Sequence, residues 1–542
     1  MEPTDRPDKK ILFLTNSERG QSTVVLATSH ALLTAPGADV EVHIASFPKL
    51  ADDVRKASDD ALAAASPPSN ARPIVFHTVA GLSMTEAWQG MLASGAAGVN
   101  VTSMPQRWWQ APAKLRPLFR VMQPWDAEAF LVVYQSLLDI IRDVGADLVV
   151  VDNIFGQALT ACRFLGVDTM VLSPNTIKDF ALPFQPGAVA LWKFPCVGTA
   201  FPYPVPLYLI PLNIILVFAI IYMTITDSHT KKIAAAVEKY TEGASYETVM
   251  SLALNKSLNF KVLVSNLPEI EFPMRFIPPH LVPCGPILRP ARPCAEVSPD
   301  LAVWIRRGPV IYINLGTHVQ HFRPTEPLEM ARALRTVLDR ADSDPERKLG
   351  GLQVLWKLVM AKGVDFPIDE PGCDIRNVLG RYMDAGRIRI VDWIEPEPIA
   401  VLEEPNVVLA VHHGGANSFL EAVSAGVRHV VLGVWMDTYD FANRAEHLGI
   451  GIWGNKRSRP GWQADELGSA LVNVLMGPRS AQMKHKASEL ARLCAANGGG
   501  RAMAARTILE EVETLRQARK LKLDGNGGEV GEHEGKEGNQ AS

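Results

Sequence analysis

The chain has few cysteines and little excess charge, and both scarcities exclude classes of protein. Its six cysteines are scattered through 542 residues, with no Cys-x-x-Cys pair and no Cys/His spacing typical of a zinc site. The 58 acidic residues against 54 basic ones leave no basic patch dense enough for a nucleic-acid backbone. We therefore expect a reduced compartment, no bound metal and no nucleic-acid partner.

The N-terminus also lacks the long apolar run of a secretory signal. Two lysines precede ILFL at 11–14, a run of only four residues, whereas a signal peptide needs an apolar core of about 7 to 15. We expect the protein to be cytoplasmic.

One long uncharged run stands out against this background. Residues 207–225, LYLIPLNIILVFAIIYMTI, carry no charge and are about long enough to cross a bilayer as a helix. A single crossing would place the two halves of the chain on opposite sides of the membrane. We therefore expect a buried or pocket-lining helix, with in-plane peripheral membrane contact as the second alternative and a true span as the least favoured.

Strand-like apolar runs alternate with helical stretches in two separate parts of the chain. The first alternation runs from KKILFLTN (9–16) to TMVLSP (169–174), and the second begins at PVIYINLG (309–316). This pattern predicts an α/β fold with two doubly wound, Rossmann-like domains. We place the boundaries as follows: an N-terminal domain over 1–290, a second domain over 300–497, a C-terminal helix over 498–520 and a disordered tail over 521–542.

The stretch VVLAVHHGGANSFLEAV (407–423) has the order of an anion-binding turn. An apolar strand leads into His and Gly, and then into a helix that starts with small or polar residues. Glycines let a ligand approach the backbone, and the first helical amides point outward with the positive end of the helix dipole. In isolation, His412 and His413 would be taken as core or turn residues. Trp393 before them and Glu421 after them add an aromatic plane and a carboxylate, which suit a nucleoside diphosphate.

Residues 393–443 resemble the donor-binding motif of UDP-dependent glycosyltransferases, glycosyltransferase family 1. LVSNLPEIE (263–271), CGPI (284–287) and PVIYINLGT (309–317) follow the order of the same family, and the chain looks most similar to its fungal secondary-metabolite and xenobiotic members. The resemblance implies a GT-B fold whose first domain binds the acceptor and whose second binds the UDP-sugar. It also implies metal-independent, inverting sugar transfer, with UDP-glucose as the expected donor.

The resemblance implies a role for each residue of this motif. Trp393 would stack on uracil, Ile394 would offer backbone hydrogen bonds, and Glu421 would take the ribose hydroxyls. The diphosphate would be held by residues at the turn and after the first strand of the domain, namely His413, Gly415, Asn417, Ser418 and Thr317.

The sugar-binding positions depart from the family pattern. The loop IEPEPIA after Trp393 is two residues longer than in plant members, and Glu397 stands where Gln is usual. Counting back from Asn443 gives Tyr439 and Asp440 as the sugar-binding pair, with Asp437 available if the loop shifts. Asp440 could instead cap or solvate a helix.

The histidine that serves this family as general base is missing here. The position after Gly20 is Gln21, which cannot accept the proton, although Asp152 in VVVDNIFGQAL matches the aspartate that steadies the histidine or else caps a helix. Two routes stay open. Asp152 or Glu18 takes the proton while Gln21 orients the acceptor, or the acceptor is acidic enough, as a phenol is, to need little help.

Aromatic residues gather in the first domain and predict a flat, apolar, hydroxylated acceptor. They are Trp88, Trp108, Trp109, Phe119, Trp125, Phe180, Phe184, Trp192, Phe194, Phe201 and Tyr203. We expect most of them in the core and about a third in a pocket. The acceptor classes that fit are phenols, polyketides, sterols and lipids. A non-catalytic UDP-sugar-binding protein and a UDP-sugar epimerase remain as alternatives.

Overall fold

The computed structural model describes residues 9–36, 39–65, 71–93, 122–255, 258–316, 319, 325–346, 349–360 and 373–526. Within these residues the chain forms two α/β domains, each built on one parallel sheet. The α/β prediction is therefore confirmed.

The first domain contains a parallel sheet of seven described strands in the order β3-β2-β1-β4-β5-β6-β7. The strands are β1 (Lys9–Leu14), β2 (Val40–Ser46), β3 (Val75–Thr78), β4 (Leu148–Asp152), β5 (Thr169–Ser173), β6 (Val262–Val264) and β7 (Leu281–Pro283). The strand order reverses between β1 and β4, and ligands of such sheets bind at the carboxyl ends of the strands beside this point. Asp152 ends β4, and Glu18 and Gln21 follow β1.

Helices cover both faces of this sheet because its central strands are apolar throughout, as buried parallel strands are. They are α1 (Arg19–Thr34), α2 (Ala51–Ala64), α3 (Met84–Ala93), α4 (Ala127–Val144), α5 (Gly156–Leu165), α6 (Ile177–Ala181), α7 (Val189–Trp192), α8 (Ile210–Thr226), α9 (Ser228–Tyr240) and α10 (Val249–Leu254). Local signals set the helix ends. For α4, the Asp126 side chain accepts from Ala129 N at 2.8 Å, and Gly145 ends the helix with φ +56°.

The second domain repeats the plan, with the described strands in the order β10-β9-β8-β11-β12-β13. They are β8 (Val310–Asn314), β9 (Gln353–Lys357), β10 (Ile388–Val391), β11 (Val407–His412), β12 (Arg428–Val431) and β13 (Gly451–Trp453). The helices after β7 are α11 (Cys294–Val297), α12 (Pro299–Ile305), α13 (Thr325–Asp342), α14 (Asp374–Asp384), α15 (Pro398–Leu402), α16 (Ala416–Ser424), α17 (Met436–Leu448), α18 (Ala464–Met476), α19 (Ser480–Ala495) and α20 (Gly499–Asn526). The strand order reverses between β8 and β11, where the His-Gly turn lies.

The last helix, α20, returns to the first domain. Ile508 and Val512 are buried in the core beside α1, and Arg516 pairs with Asp147 at 2.6 Å. The structure continues α20 through residues 521–526, where a disordered tail was predicted, and Leu521, Lys522 and Leu523 favour a helix there. Residues 527–542 lie outside the described part of the chain.

The apolar segment forms α8, and the prediction that this helix is buried is wrong, whereas its other form, a pocket-lining helix, stays a prediction. The stretch Leu207–Tyr240 is long and apolar enough to cross a membrane, with a hydropathy of 2.3, and only 11% of that window is buried. A span is nevertheless incompatible with the fold, because β5 before the segment and β6 after it are paired neighbours, with Val171 opposite Val262. The helix lies outside the core because its inner face buries only Asn213 and Leu216.

Candidate active site

The turn after β11 brings two glycines and a histidine against the start of α16. Gly414 has φ +84°, and a Cβ there would lie 2.8 Å from the Thr438 carbonyl oxygen. At Gly415, the N-cap residue of α16, a Cβ would overlap Nε2 of His413. At Gly316, in the neighbouring turn after β8, a Cβ would lie 2.7 Å from Cε1 of His413. The His413 ring is thus held between two turns that have no room for a side chain.

The first turn of α16 leaves backbone amides available to a ligand. No side chain in the described part of the chain caps this helix, and the half-buried Asn417 and Ser418 stand in its first turn. Uncapped amides at the positive end of a helix dipole favour an anion. The structure brings together His413, Gly415, Asn417 and Ser418, whereas Thr317 lies outside the described residues.

The two histidines of the turn have different surroundings. Nε2 of His412 lies 2.9 Å from Nδ1 of His429, and Gly414 N donates to Nδ1 of His412 at 3.1 Å. Burial lowers the pKa of His412 well below its usual value and that of His429 to about 3, so both rings are neutral. The His413 ring lies 5.9 Å from that of Trp435, just before α17. His413, rather than His412, is the histidine beside the anion turn.

Trp393 stands at the rim of the cleft, where its ring is accessible to a nucleobase. It is 53% exposed and follows β10, while Ile394 packs beneath it on the core. The Lys357 ammonium lies 4.7 Å from the ring centroid, and the Arg19 guanidinium lies 5.8 Å away. Burial and the nearby Arg19 lower the pKa of Lys357. Arg19 is the first residue of α1 and follows Glu18. The contact therefore places the Glu18 loop of the first domain next to Trp393, the expected uracil-binding residue.

Glu421 lines a small pocket beneath the anion turn, together with Tyr312 and Asn314. Burial, with repulsion from Glu397, raises the pKa of Glu421 to about 8. Glu397, which departs from the plant motif, lies 3.8 Å from Arg289 of the interdomain segment. A carboxyl group is therefore present where the resemblance places a ribose contact, and burial shifts its ionisation towards neutral pH.

Asp437 and Asp440 both lie near the start of α17, but they differ in their ion-pair partners and in their exposure. Asp440 forms an ion pair with the buried Lys178 of α6. Burial opposes the charge of Lys178, but the carboxylates of Asp440 and Asp179 outweigh it and raise its pKa. Asp437 is exposed at the start of α17, although desolvation by the protein around its carboxyl group, followed by repulsion from Asp179 and Asp440, raises its pKa to about 7. Tyr439 is buried in the core.

Asp152 is sealed at the end of β4. It is 1% exposed, and it accepts hydrogen bonds from Ile154 N at 3.0 Å and from Asn16 N and Nδ2 at 3.2 and 3.3 Å. Burial raises the pKa of Asp152 to about 6 against these hydrogen bonds, which lower it. The N-cap of α5 is Phe155, not Asp152. Asp152 therefore holds the loop after β1 through Asn16 and presents no free oxygen to an acceptor.

Glu18 and Gln21 stand at the start of α1, beside Arg19. The half-buried Glu18 occupies the N-cap position, and its carboxylate accepts a hydrogen bond from Thr85 of α3. Among the described residues, neither Oε1 of Gln21 nor Oδ1 of Asn16 has a hydrogen-bond partner, although both are buried. Such buried atoms call for a partner, and an ordered water would supply one. Asn16 was not predicted, although the polar run directly after a buried strand could have indicated it.

Contacts that the sequence did not predict join α17 to the first domain. Arg444 donates to Glu271 from Nη2 at 2.6 Å and from Nε at 3.0 Å, and both side chains are buried. Asn443 donates to the Phe201 carbonyl at 2.9 Å and accepts from Tyr203 N at 3.3 Å. These hydrogen bonds cross between the domains and hold the middle of α17 against the first domain.

Comparison with known proteins decides the family. Residues 381–505 match the family described as erythromycin biosynthesis protein CIII-like, C-terminal domain. The glycosyltransferase sdnJ of Sordaria araneosa is 31% identical in an alignment of 511 positions that covers 90% of this chain and 95% of that protein. The chain is a UDP-glycosyltransferase.

Two further comparisons agree with this family. The UDP-glycosyltransferase stmC of Aspergillus ustus is 31% identical over 37% of each chain. A solved UDP-glucosyltransferase from Polygonum tinctorium superposes with a TM-score of 0.60 at 15% identity, covering 94% of this chain and all of that one. This likeness shows that the UDP-glycosyltransferase has the GT-B fold. The family also sets aside the epimerase and the non-catalytic alternatives, since its members transfer sugar from a UDP-sugar.

Four of the eight described aromatic residues that were predicted to gather in the UDP-glycosyltransferase's first domain pack in its core. The buried ones are Trp125, Phe180, Phe194 and Phe201. Trp88 is half-buried, and its Nε1 has no hydrogen-bond partner in the described part of the chain. Trp108, Trp109 and Phe119 lie outside the described residues. Aromatic composition alone therefore does not delimit the acceptor pocket.

The raised pKa of Glu421 predicts pH-dependent nucleotide binding. A ribose hydroxyl donates to a carboxylate more strongly than to the neutral acid, so UDP should bind better once Glu421 is ionised. The affinity for UDP should rise as pH approaches 8, by up to about tenfold per pH unit below it. Calorimetric titration with UDP across this range measures the slope and the proton released.

Glu421→Gln is the control for this titration. It removes the titrating group but keeps an acceptor oxygen, and it leaves the ionisation of the UDP phosphate unchanged. We expect a smaller pH slope and less proton release in the variant. The same slope in both proteins would contradict the assignment of Glu421 to the ribose.

Proposed function

We propose that this UDP-glycosyltransferase moves glucose from UDP-glucose to a hydroxyl of a small, largely apolar acceptor, with inversion at the anomeric carbon. The observation that carries the proposal is the contact between Arg19 and Trp393. It brings the loop with Glu18 and Gln21, from the first domain, to the donor motif of the second. Proton acceptor and leaving group then face one cleft.

For the proton we propose Glu18 rather than Asp152. The Asp152 carboxylate is sealed by its hydrogen bonds to Asn16 and Ile154, whereas Glu18 is half-buried at the start of α1. The acceptor hydroxyl gives its proton to the Glu18 carboxylate as its oxygen forms a bond to the anomeric carbon. The bond from that carbon to the diphosphate oxygen breaks, and its electron pair leaves with UDP. Gln21 orients the acceptor, and Asp152 acts as a positioning residue.

For the sugar we propose a neutral hexose held by Asp437. Its carboxyl group is open to the cleft and can accept from two adjacent hydroxyls, while Asp440 is engaged by Lys178. Three carboxyl groups, those of Asp437, Asp440 and Asp179, surround one ammonium group, and this excess of negative charge disfavours a uronic acid.

For the acceptor and the location we propose a phenol, polyketide, sterol or lipid that is glycosylated on the cytosolic side. Ile220 and Met223 of α8 pack with Trp435 and Met436 at the start of α17, so apolar side chains border the cleft beside the donor motif. We also propose that any membrane contact is peripheral and uses residues 207–225.

The test is UDP release from UDP-glucose with panels of phenols, sterols and hydroxylated fatty acids. We expect acceptor-dependent release, and none from UDP-glucuronate. Glu18→Gln should lower kcat by about 10²-fold or more with an aliphatic alcohol, and by much less with an acidic phenol, which needs no base.

Asp152→Asn distinguishes the two carboxyl groups in this assay. If Asp152 is a positioning residue, Asp152→Asn should lower the rate of UDP release by the same factor with aliphatic alcohols and with acidic phenols. A loss specific to weakly acidic acceptors in Asp152→Asn, with Glu18→Gln unchanged, would move the base to Asp152. Donor binding without release from any acceptor would count against transfer to these classes.

A further inference from the structure

Helix α8 presents a ridge of large apolar side chains to solvent. The α8 ridge consists of Ile215, Phe218, Tyr222 and Ile225, which are 64%, 56%, 69% and 66% exposed. Their spacing of three and four residues places them on one face of the helix. Apolar side chains scattered singly on a surface need no explanation, whereas a continuous row of this kind marks a surface that meets an apolar partner.

The orientation of the ridge is fixed by the opposite face of the helix. Asn213 Oδ1 accepts from Cys196 N at 2.8 Å, and Nδ2 donates to the Leu191 and Phe194 carbonyls at 2.8 and 2.9 Å. Every hydrogen-bonding group of this buried amide is engaged by α7 and the segment that follows it. The helix cannot roll to bury its ridge without breaking these three hydrogen bonds.

The surroundings of the ridge suit a lipid surface better than a protein partner. Protein interfaces have a polar rim, but no charged residue occurs from Leu207 to Thr226. A helix that is apolar all round belongs in a core or a membrane, and this one is not in the core. The rings of Tyr208 and Trp192, 79% and 41% exposed, lie beside the helix start and suit the boundary between acyl chains and headgroups.

Positive charge lies where the helix ends. Lys231 and Lys232 are exposed on α9, five and six residues after Thr226. On the surface of an anionic bilayer, such lysines are attracted to the headgroups. They follow Ile225, the last residue of the ridge, by six and seven positions, so apolar and positively charged exposed side chains are close together along the chain.

We propose that the α8 ridge lies in the plane of a membrane surface and binds the enzyme to it, with Lys231 and Lys232 against anionic headgroups. The inner flank of the same helix, Ile220 and Met223, meets Trp435 and Met436 at the cleft. A membrane-dissolved acceptor therefore enters the cleft along α8 from the bilayer. This delivery step rests on the proposed apolar acceptor, whereas membrane binding does not.

The experiment is co-sedimentation of the full chain with vesicles of phosphatidylcholine alone and of phosphatidylcholine mixed with phosphatidylserine. We expect the wild type to bind both, and the mixed vesicles more tightly. Phe218→Glu/Ile225→Glu should lower binding to both by about tenfold or more. Lys231→Gln/Lys232→Gln should remove only the preference for phosphatidylserine.

The matched control is Val303→Glu/Leu521→Glu, which adds the same charge at apolar positions of similar exposure, 58% and 72%, away from α8. It should bind vesicles as the wild type does. Turnover of a water-soluble phenol without vesicles should be equal in all of these proteins, so a failed transferase assay and a failed membrane assay are distinguishable.

Vesicle binding that persists in Phe218→Glu/Ile225→Glu would overturn the proposal. So would a wild-type dimer that the ridge variant dissociates, since a second copy would then cover the ridge.

Discussion

His413→Ala is expected to lower kcat for sugar transfer by a factor of about 10² to 10³, the usual loss when one group that stabilises developing charge is removed. The His413 ring is held between Gly316 and Gly415, directly at the open start of α16. Negative charge grows on the diphosphate as the sugar departs, and a fixed hydrogen-bond donor there stabilises it more in the transition state than in the bound donor. The loss should therefore appear in kcat more than in KM.

Three comparisons isolate this effect. His413→Gln keeps a hydrogen-bond donor and should recover part of the rate. His485→Ala, on the exposed side of α19 in the same domain, should match the wild type. Thermal melting checks that the turn survives, because removing the ring leaves space between two glycine turns. A His413→Ala enzyme that turns over at the wild-type rate would remove this residue from the phosphate site.

The donor half of the site could be predicted from sequence because its determinants are local. Strand, glycine turn and helix start follow one another within 407–423, and a parallel sheet with a reversal of strand order places such a turn at its carboxyl edge. Glycine at positions 414 and 415 can be explained from sequence alone, because a tight turn between a strand and a helix favours residues without a side chain. Their neighbours across the turn, Gly316 and Thr438, became visible only once the chain was folded.

The partners of α17 could not be predicted, because they depend on how two domains meet. Lys178 and Glu271 are remote in sequence from Asp440 and Arg444, and no periodicity links them. Counting from Asn443 favoured Asp440 as the sugar contact. The structure shows that the carboxylate of Asp440 is taken by Lys178, and the helix start at Met436 leaves Asp437 open to the cleft.

The exposure of α8 escaped prediction for a related reason. Composition shows that the helix is apolar but not what covers it, and a mostly buried core helix was the default. Asn213 is the one amide side chain in residues 207–225, and its position is the only sequence signal for the face of α8 that packs against the protein. Its three hydrogen bonds to α7 and the segment that follows it are tertiary contacts that sequence spacing does not reveal.

The buried pair of Glu271 and Arg444 leads to the prediction with the largest effect on stability. The two side chains are 0% and 1% exposed. Glu271 also accepts from the backbone amides of Lys178 and Phe272 at 3.0 and 2.8 Å, and the Arg444 guanidinium lies 4.8 Å from the Phe272 ring. Removing either partner leaves an unpaired charge in the interior, so Glu271→Ala and Arg444→Leu should each cost about 3–5 kcal/mol of unfolding free energy.

Urea denaturation of the single variants, of the double variant and of Asp52→Ala measures these costs. The double variant should lose less than the sum of the two singles, because it leaves neither charge unpaired. Asp52→Ala removes an exposed ion pair, in which the Asp52 and Arg55 side chains are 86% and 73% exposed, and it should cost less than about 1 kcal/mol.

Arg444 anchors α17, the helix that carries Asp437 near its start. The single variants should therefore also raise KM for UDP-glucose. A Glu271→Ala protein as stable as Asp52→Ala, with an unchanged KM, would mean that the interdomain pair does not hold α17 in place.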